Sequence, residues 1–254
     1  TVSVVQDLGN LKMKPAVHTS LVESGLSDLS VDELDGKTCK DILLAANASI
    51  GMLSGLAFSP FFNAKQNLIE NQPNNYVSVQ LTDANGDGYK DLLLVDAKHG
   101  SLDLFLGDGQ GKLVAYDGHL LTAATPSQVT QVDFDKDGNL DLWVVHNMPG
   151  GASVPLQDRL WKGDGTGKFV DFTKEAGLIT QGWSQVKALN EAKGHSWAWA
   201  ATACDLNNDG FDELLTASYG RVPNHLWRNQ SLDGGGRGYV NESIASGYAF
   251  DGKQ

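Results

Sequence analysis

Three nine-residue stretches of this chain repeat one arrangement of oxygen-bearing side chains. They are Asp83-Ala84-Asn85-Gly86-Asp87-Gly88-Tyr89-Lys90-Asp91, Asp133-Phe134-Asp135-Lys136-Asp137-Gly138-Asn139-Leu140-Asp141 and Asp205-Leu206-Asn207-Asn208-Asp209-Gly210-Phe211-Asp212-Glu213. Each has Asp or Asn at positions 1, 3 and 5, Gly at 6 and an acid at 9. The alternate spacing turns three side chains toward one point, and the glycine permits the turn that brings the ninth residue back to it. Left alone, three or four acids in nine residues repel one another. A hard divalent cation that takes six to eight oxygens would resolve the conflict, with a backbone carbonyl at position 7 and water filling its shell. The pattern therefore predicts about three Ca2+ sites.

An EF-hand is excluded because it needs a Glu at position 12 and flanking helices. Position 12 here is Leu94, Val144 or Thr216. The ninth residue instead leads into Leu92-Leu93-Leu94-Val95, Leu142-Trp143-Val144-Val145 or Leu214-Leu215-Thr216-Ala217. Short apolar runs bounded by turns read as buried strands. Each loop thus joins two strands, and the metal-free alternative is a plain acidic hairpin turn.

More of the unit recurs. Leu104-Phe105-Leu106-Gly107-Asp108-Gly109, Leu160-Trp161-Lys162-Gly163-Asp164-Gly165 and Leu226-Trp227-Arg228-Asn229 follow their loops at related offsets, with Pro149-Gly150-Gly151-Ala152-Ser153 as an inserted surface loop in the middle unit. Each unit reads as strand, acidic loop, strand, strand, glycine-rich hairpin, strand. Four short strands per unit predict an all-β fold of propeller blades, whose sheets pack face to face. Phe105, Trp161, Trp227, Trp197 and Trp199 are expected in the core between blades.

A degenerate unit comes first. Val31-Asp32-Glu33-Leu34-Asp35-Gly36 resembles the start of a loop and Asp41-Ile42-Leu43-Leu44 its end. The interval from Asp35 to Asp41 is two residues too long, which implies an insertion at Thr38-Cys39 and a lost or distorted metal site. The expected divisions are a half-blade at 1–26, the degenerate blade at 27–73, calcium blades at 74–125, 126–190 and 191–247, and a further connection from 248 to 254. A propeller must close to hide its edges, so the chain is expected either to be part of a larger propeller, completed by further residues or a second chain, or to close a small ring with its N-terminal hairpin held by a partner; the first is favoured.

The loops followed by apolar strands, together with the glycine-rich hairpins, resemble FG-GAP/VCBS repeats, which build the propeller of the integrin α-subunit type, usually with seven blades, and the resemblance implies a larger propeller of about seven blades here. Phe172-Thr173-Lys174-Glu175-Ala176-Gly177-Leu178, Ser196-Trp197-Ala198-Trp199 and Asn224-His225-Leu226-Trp227-Arg228-Asn229 further resemble the subgroup of cartilage-acidic-protein-like and UnbV/ASPIC-associated proteins. The resemblance implies side-chain ligands at Asp83, Asn85, Asp87 and Asp91, at Asp133, Asp135, Asp137 and Asp141, and at Asp205, Asn207, Asp209 and Glu213. It implies carbonyl ligands at Tyr89, Asn139 and Phe211. Glu213 departs from the usual Asp. Such repeats serve adhesion, ligand binding and scaffolding, so fold alone does not assign an activity.

A net charge of -12 argues against nucleic acid and anionic membranes as partners. Calcium sites of ordinary affinity favour a periplasmic, cell-surface or secreted location. Thr1 does not open an export signal, so any such signal is expected to have been removed. Cys39 and Cys204 could form one disulfide, or Cys204 could be a buried free thiol. The six histidines follow no metal-ligand spacing, although His99 and His146 end second strands and could reach a rim. The turns at 107–111 and 163–167 precede strands and are hairpins, not phosphate cradles. The expected function is a non-catalytic, extracytoplasmic calcium-binding propeller for protein–protein interaction or scaffolding. The alternative is a carbohydrate-binding propeller with rim contacts from Trp183 or residues 149–154. A polysaccharide-active enzyme ranks below both.

Overall fold

The computed structural model describes residues 2–4, 17–19, 26–32, 34, 41–46, 49–53, 66–69, 76–96, 98–116, 120–121, 126–147, 156–182, 186–219 and 222–250. Cys39, Trp183, the 149–154 insertion and residues 251–254 lie outside them.

The fold is all-β. β1 (Val2–Val4) and β2 (Val17–Thr19) form an antiparallel ladder. β3 (Leu26–Asp32), β4 (Asp41–Ala46), β5 (Ser49–Leu53) and β6 (Gln66–Ile69) form the first four-stranded sheet. β7 (Tyr76–Thr82), β8 (Asp91–Asp96), β9 (Ser101–Gly107) and β10 (Leu113–Ala115) form the second, with β11 (Leu120–Leu121) also pairing β9. β12 (Pro126–Val132), β13 (Asp141–His146), β14 (Arg159–Gly163) and β15 (Phe169–Asp171) form the third. A short helix, α1 (Val186–Asn190), precedes the fourth sheet of β16 (Ala198–Cys204), β17 (Glu213–Ser218), β18 (Leu226–Ser231) and β19 (Arg237–Asn241). Every four-stranded path is an antiparallel meander in chain order. The sequence reading contained no helix; α1 is a single short turn-and-a-half that buries Ala188.

The second, third and fourth sheets stack face to face, and residue parity shows how. Along β8, Leu92 and Leu94 pack with Leu34, Tyr76 and Val79 toward the first sheet. Leu93 and Val95 pack with Val129, Leu142 and Val144 of the third sheet. Along β13 the pattern repeats: Leu142 and Val144 face the second sheet, while Trp143 and Val145 pack with Leu214, Trp227 and Tyr239 of the fourth. Side chains alternate across a strand, so a strand sandwiched between two sheets needs apolar residues at every position. That is why these runs show no polar alternation.

The first unit corrects the sequence reading. Asp32 pairs with Asp41 where Thr82 pairs with Asp91, Val132 with Asp141 and Cys204 with Glu213. The same number of residues therefore separates the two strands in all four sheets; Thr38 and Cys39, the expected place of the insertion, lie outside the described residues. Counted along the sequence from Asp32, Glu33 corresponds to position 1, Asp35 to 3, Lys37 to 5 and Thr38 to 6. The Asp35-Gly36 pair imitates positions 5 and 6 in sequence, but strand pairing fixes the register. Leu34 then falls at position 2, and it is buried like Ala84 and Phe134. The degeneracy is one of chemistry, because a lysine stands where the others have an aspartate.

Trp199 is a second correction. It sits at a bulge between the pairs Ala198–Ser218 and Ala200–Ala217, and it is 54% exposed, not core. Cys204 carries a free, partly exposed thiol.

Candidate metal centre

The first and third loops share one hydrogen-bonding frame, and the middle loop keeps part of it. In the first, Asp83 accepts from the backbone N–H groups of Asp87 and Gly88, Asn85 accepts from Asp87 N–H, and Asp87 accepts from Tyr89 N–H. The third repeats this residue for residue through Asp205, Asn207, Asp209, Gly210 and Phe211. In the middle loop Gly138 N–H donates to Asp133 and Asn139 N–H to Asp137. Gly88, Gly138 and Gly210, the sixth residues, all have positive φ, between 86° and 89°, a region costly for residues with a Cβ.

The ninth residue has a role the spacing did not reveal. Asp91 accepts from Ala84 N–H through one oxygen and from Gly107 N–H, on the third strand, through the other. Asp141 does the same with Phe134 and Gly163. Glu213 does so with Leu206 and Asn229. This carboxylate is fully buried and ties loop, second strand and third strand together. The departure to Glu213 has a steric reason. A Cβ on Gly107 would meet Lys90 O at 2.1 Å, and one on Gly163 would meet Leu140 O at 2.1 Å. The fourth sheet carries Asn229 at this place, with its amide on Phe134 O at 2.8 Å. A third strand bearing a side chain there must stand farther off, and the extra methylene of Glu213 spans the gap.

Only in the middle loop, among the described residues, do three carboxylates converge. Asp133, Asp135 and Asp141 each offer an oxygen, all within 4.8 Å of one another. Oxygens about 2.4 Å from one calcium ion can stand no farther apart than this. Asp133 Oδ1 and Asp135 Oδ1 are buried and accept no hydrogen bond. Burial, augmented by the neighbouring Asp135 and Asp137, pushes the Asp141 carboxyl up to about 7. Buried oxygens without donors and a carboxyl starved of positive charge fit a hard cation. Asp137 stands outside the trio and pairs with Lys162 Nζ at 2.9 Å, which also bonds Asp135. Against desolvation, the bonds from Lys162 and Asn139 hold the Asp137 carboxyl below the usual range. In the first and third loops position 3 is Asn, whose amide donates to Asp87 at 3.0 Å and to Asp209 at 3.2 Å. The backbones of Tyr89, Asn139 and Phe211 are held by the position-5 carboxylates.

The opposite ends of the third and fourth sheets carry a polar cluster that spacing concealed. His146, at the end of β13, is fully buried with Nδ1 3.5 Å from Asp158 Oδ1. His195 bonds Thr180, and His225 lies 3.4 Å from Ser196 Oγ. Burial pushes His225 down to about 4, with Asp158 opposing the shift, and it lowers His195 as well. His99, by contrast, is half exposed on Asp96. The three clustered histidines come from separate parts of the chain, so no sequence spacing could have linked them.

Residues 83–144 match the FG-GAP-like repeat, a span that takes in the first two loops. No curated protein sequence is significantly similar to the chain. Among solved structures, an Agrocybe aegerita lectin described as recognising non-reducing terminal N-acetylglucosamine has a TM-score of 0.53 at 15% identity, over 95% of this chain and 60% of its own. The chain thus spans little more than half of that lectin, and at this identity the likeness is one of propeller-like fold alone. The V. cholerae biofilm matrix protein Bap1 gives 0.42 at 18% identity, over 82% of this chain and 31% of its own. An exo-β-1,3-galactanase from Phanerochaete chrysosporium gives 0.40 at 12% identity, over 83% and 44%. The stretch from Asp83 to Val144 matches the FG-GAP-like repeat and lies among four-stranded antiparallel sheets of similar design.

Proposed function

We propose that this chain is a non-catalytic binding module whose loops are stapled by calcium, and that it acts outside the cytoplasm by packing against a protein partner. The observation that carries this reading is the outer face of the fourth sheet, against which no further sheet packs among the described residues. Position 2 of each loop faces the following sheet; Leu34, Ala84 and Phe134 are buried there, whereas Leu206 is 51% exposed. Ala200, Thr202 and Ala217 are exposed on the same face, and Trp199 and Tyr219 meet edge to face at its margin, 6.1 Å between centroids. A face of this kind suits a further sheet packed against it, whether from this polypeptide or from a partner. Calcium is favoured by the hard oxygen donors of the middle loop, and its extracellular abundance favours the location. No helix among the described residues is long and apolar enough to cross a membrane.

Native mass spectrometry of the chain, with and without chelator, tests both parts. The expected result is about three bound calcium ions and an assembly that Ala217→Arg disperses without unfolding the chain. A bare monomer in wild type and variant alike overturns the partner, and absence of any bound calcium overturns the staple. The exposed Trp199–Tyr219 pair also favours a second reading, a glycan contact. Binding to a glycan array that Trp199→Ala abolishes, with assembly intact, would select it.

A further inference from the structure

The three loops differ in charge, and the difference is matched elsewhere. The first and third hold three carboxylates and an asparagine; the middle loop holds four carboxylates, because position 3 is Asp135. Strand register places Leu106, Lys162 and Arg228 at one equivalent position, each following the residue that pairs the second strand at Leu92, Leu142 or Leu214. Leu106 has no charge. Arg228 turns away, its Nε 2.6 Å from Glu242. Lys162 alone reaches into its loop, bonding Asp135 and Asp137, with Nζ 5.4 Å above the Phe134 ring. Where an asparagine amide holds the position-5 carboxylate in the outer loops, an ammonium does so here.

We propose that Lys162 is a resident counter-charge for the middle loop: it holds the acid cage together without metal, and it must withdraw from Asp137 for a divalent cation to gather all four acids. Lys162 accordingly lowers the affinity of the middle site for calcium and makes the order of that loop less dependent on the ion. This rests on the reading of the loops as calcium sites. An ammonium a few ångströms from a doubly charged ion opposes binding, and it screens four crowded carboxylates when the ion is gone. Asp135 and Lys162 therefore act as a pair that replaces the asparagine of the other loops.

Calorimetric titration of the metal-stripped chain with calcium, together with its melting temperature in chelator, decides the matter. Lys162→Met should bind at least one calcium about tenfold or more tightly and melt below wild type without metal. Asp135→Asn combined with Lys162→Met should recover the metal-free melting temperature, since the amide then takes the lysine's place. If Lys162→Met does not fold without metal, Lys162→Gln folded in calcium and titrated against a chromophoric chelator gives the same comparison. Calcium binding by wild type with unchanged affinity in the lysine variants overturns the counter-charge and leaves the calcium reading standing. No calcium binding by wild type overturns both.

Discussion

β13 and β17 are the same strand in successive sheets, yet they live in different surroundings. Every residue of β13 is buried, while β17 leaves Leu215 and Ser218 half-buried and Ala217 exposed. Trp143 and Leu215 are register equivalents, as are Val145 and Ala217, because Asp141 and Glu213 begin both strands. Backbone pairing and the ninth-residue staple are alike in the two sheets; only what lies against the outer face differs. The comparison teaches that register is set within a sheet, whereas burial is set by the neighbour, and the residues track the neighbour. Where a described sheet follows, the chain places tryptophan and valine; where none of the described residues covers the face, it places leucine and alanine.

The largest break in this comparison should come from Trp143→Ala, which empties the space between third and fourth sheets. A cost of about 3–5 kcal/mol is expected, read by denaturant unfolding, against less than about 1 kcal/mol for Leu215→Ala; equal losses would contradict the assigned faces. Next comes pH. His225 is neutral in the fold because burial depresses it to about 4. The unfolded chain takes up a proton near pH 6.5, so stability is full above that and falls as pH drops from about 6.5 to about 4, by on the order of 3 kcal/mol. Protonation would also set this charge against His195, with Asp158 as the offsetting acid. His225→Phe should flatten the slope, and an unchanged pH profile would reassign it. Glu213→Asp should cost about 1–2 kcal/mol, because the shorter chain cannot reach both Leu206 and Asn229. Adding Asn229→Gly should recover much of it, a coupling that a double-mutant cycle measures; additive losses would break the steric account. The smallest effect sharpens the comparison from the open side: Ala217→Arg should shift stability by no more than about 0.5 kcal/mol while abolishing assembly.

Much of the candidate site was legible in the residues. The Asp, Asn and Gly positions of the loops appear in the structure as a hydrogen-bonding frame, complete in the first and third loops and partial in the second, since side chains two apart in a tight turn have few other places to go. The four-stranded meander was legible from the apolar runs and glycine-rich hairpins. What could not be read was anything that depends on a residue far away in the chain. The first loop was misregistered because Asp35-Gly36 looks like a loop core in isolation, and only the pairing of Asp32 with Asp41 shows its true place. Trp199 was assigned to the core because large aromatics belong there on average, but it lies on a face that no sheet covers.

Sequence alone therefore determined the local chemistry: an acidic loop that turns at its sixth residue, strands apolar on both faces, and a repeat of the two. Such features follow from short-range sterics and side-chain spacing, which neighbouring residues specify. Tertiary structure decided the rest. It made the ninth carboxylate a staple to a strand 16 residues on in the second sheet and 22 in the third, and it matched Glu213 to Asn229. It set Lys162 against the middle cage and gathered three histidines from separate connections. Those outcomes depend on how sheets stack and how far apart strands stand, and packing across long sequence separations fixes both.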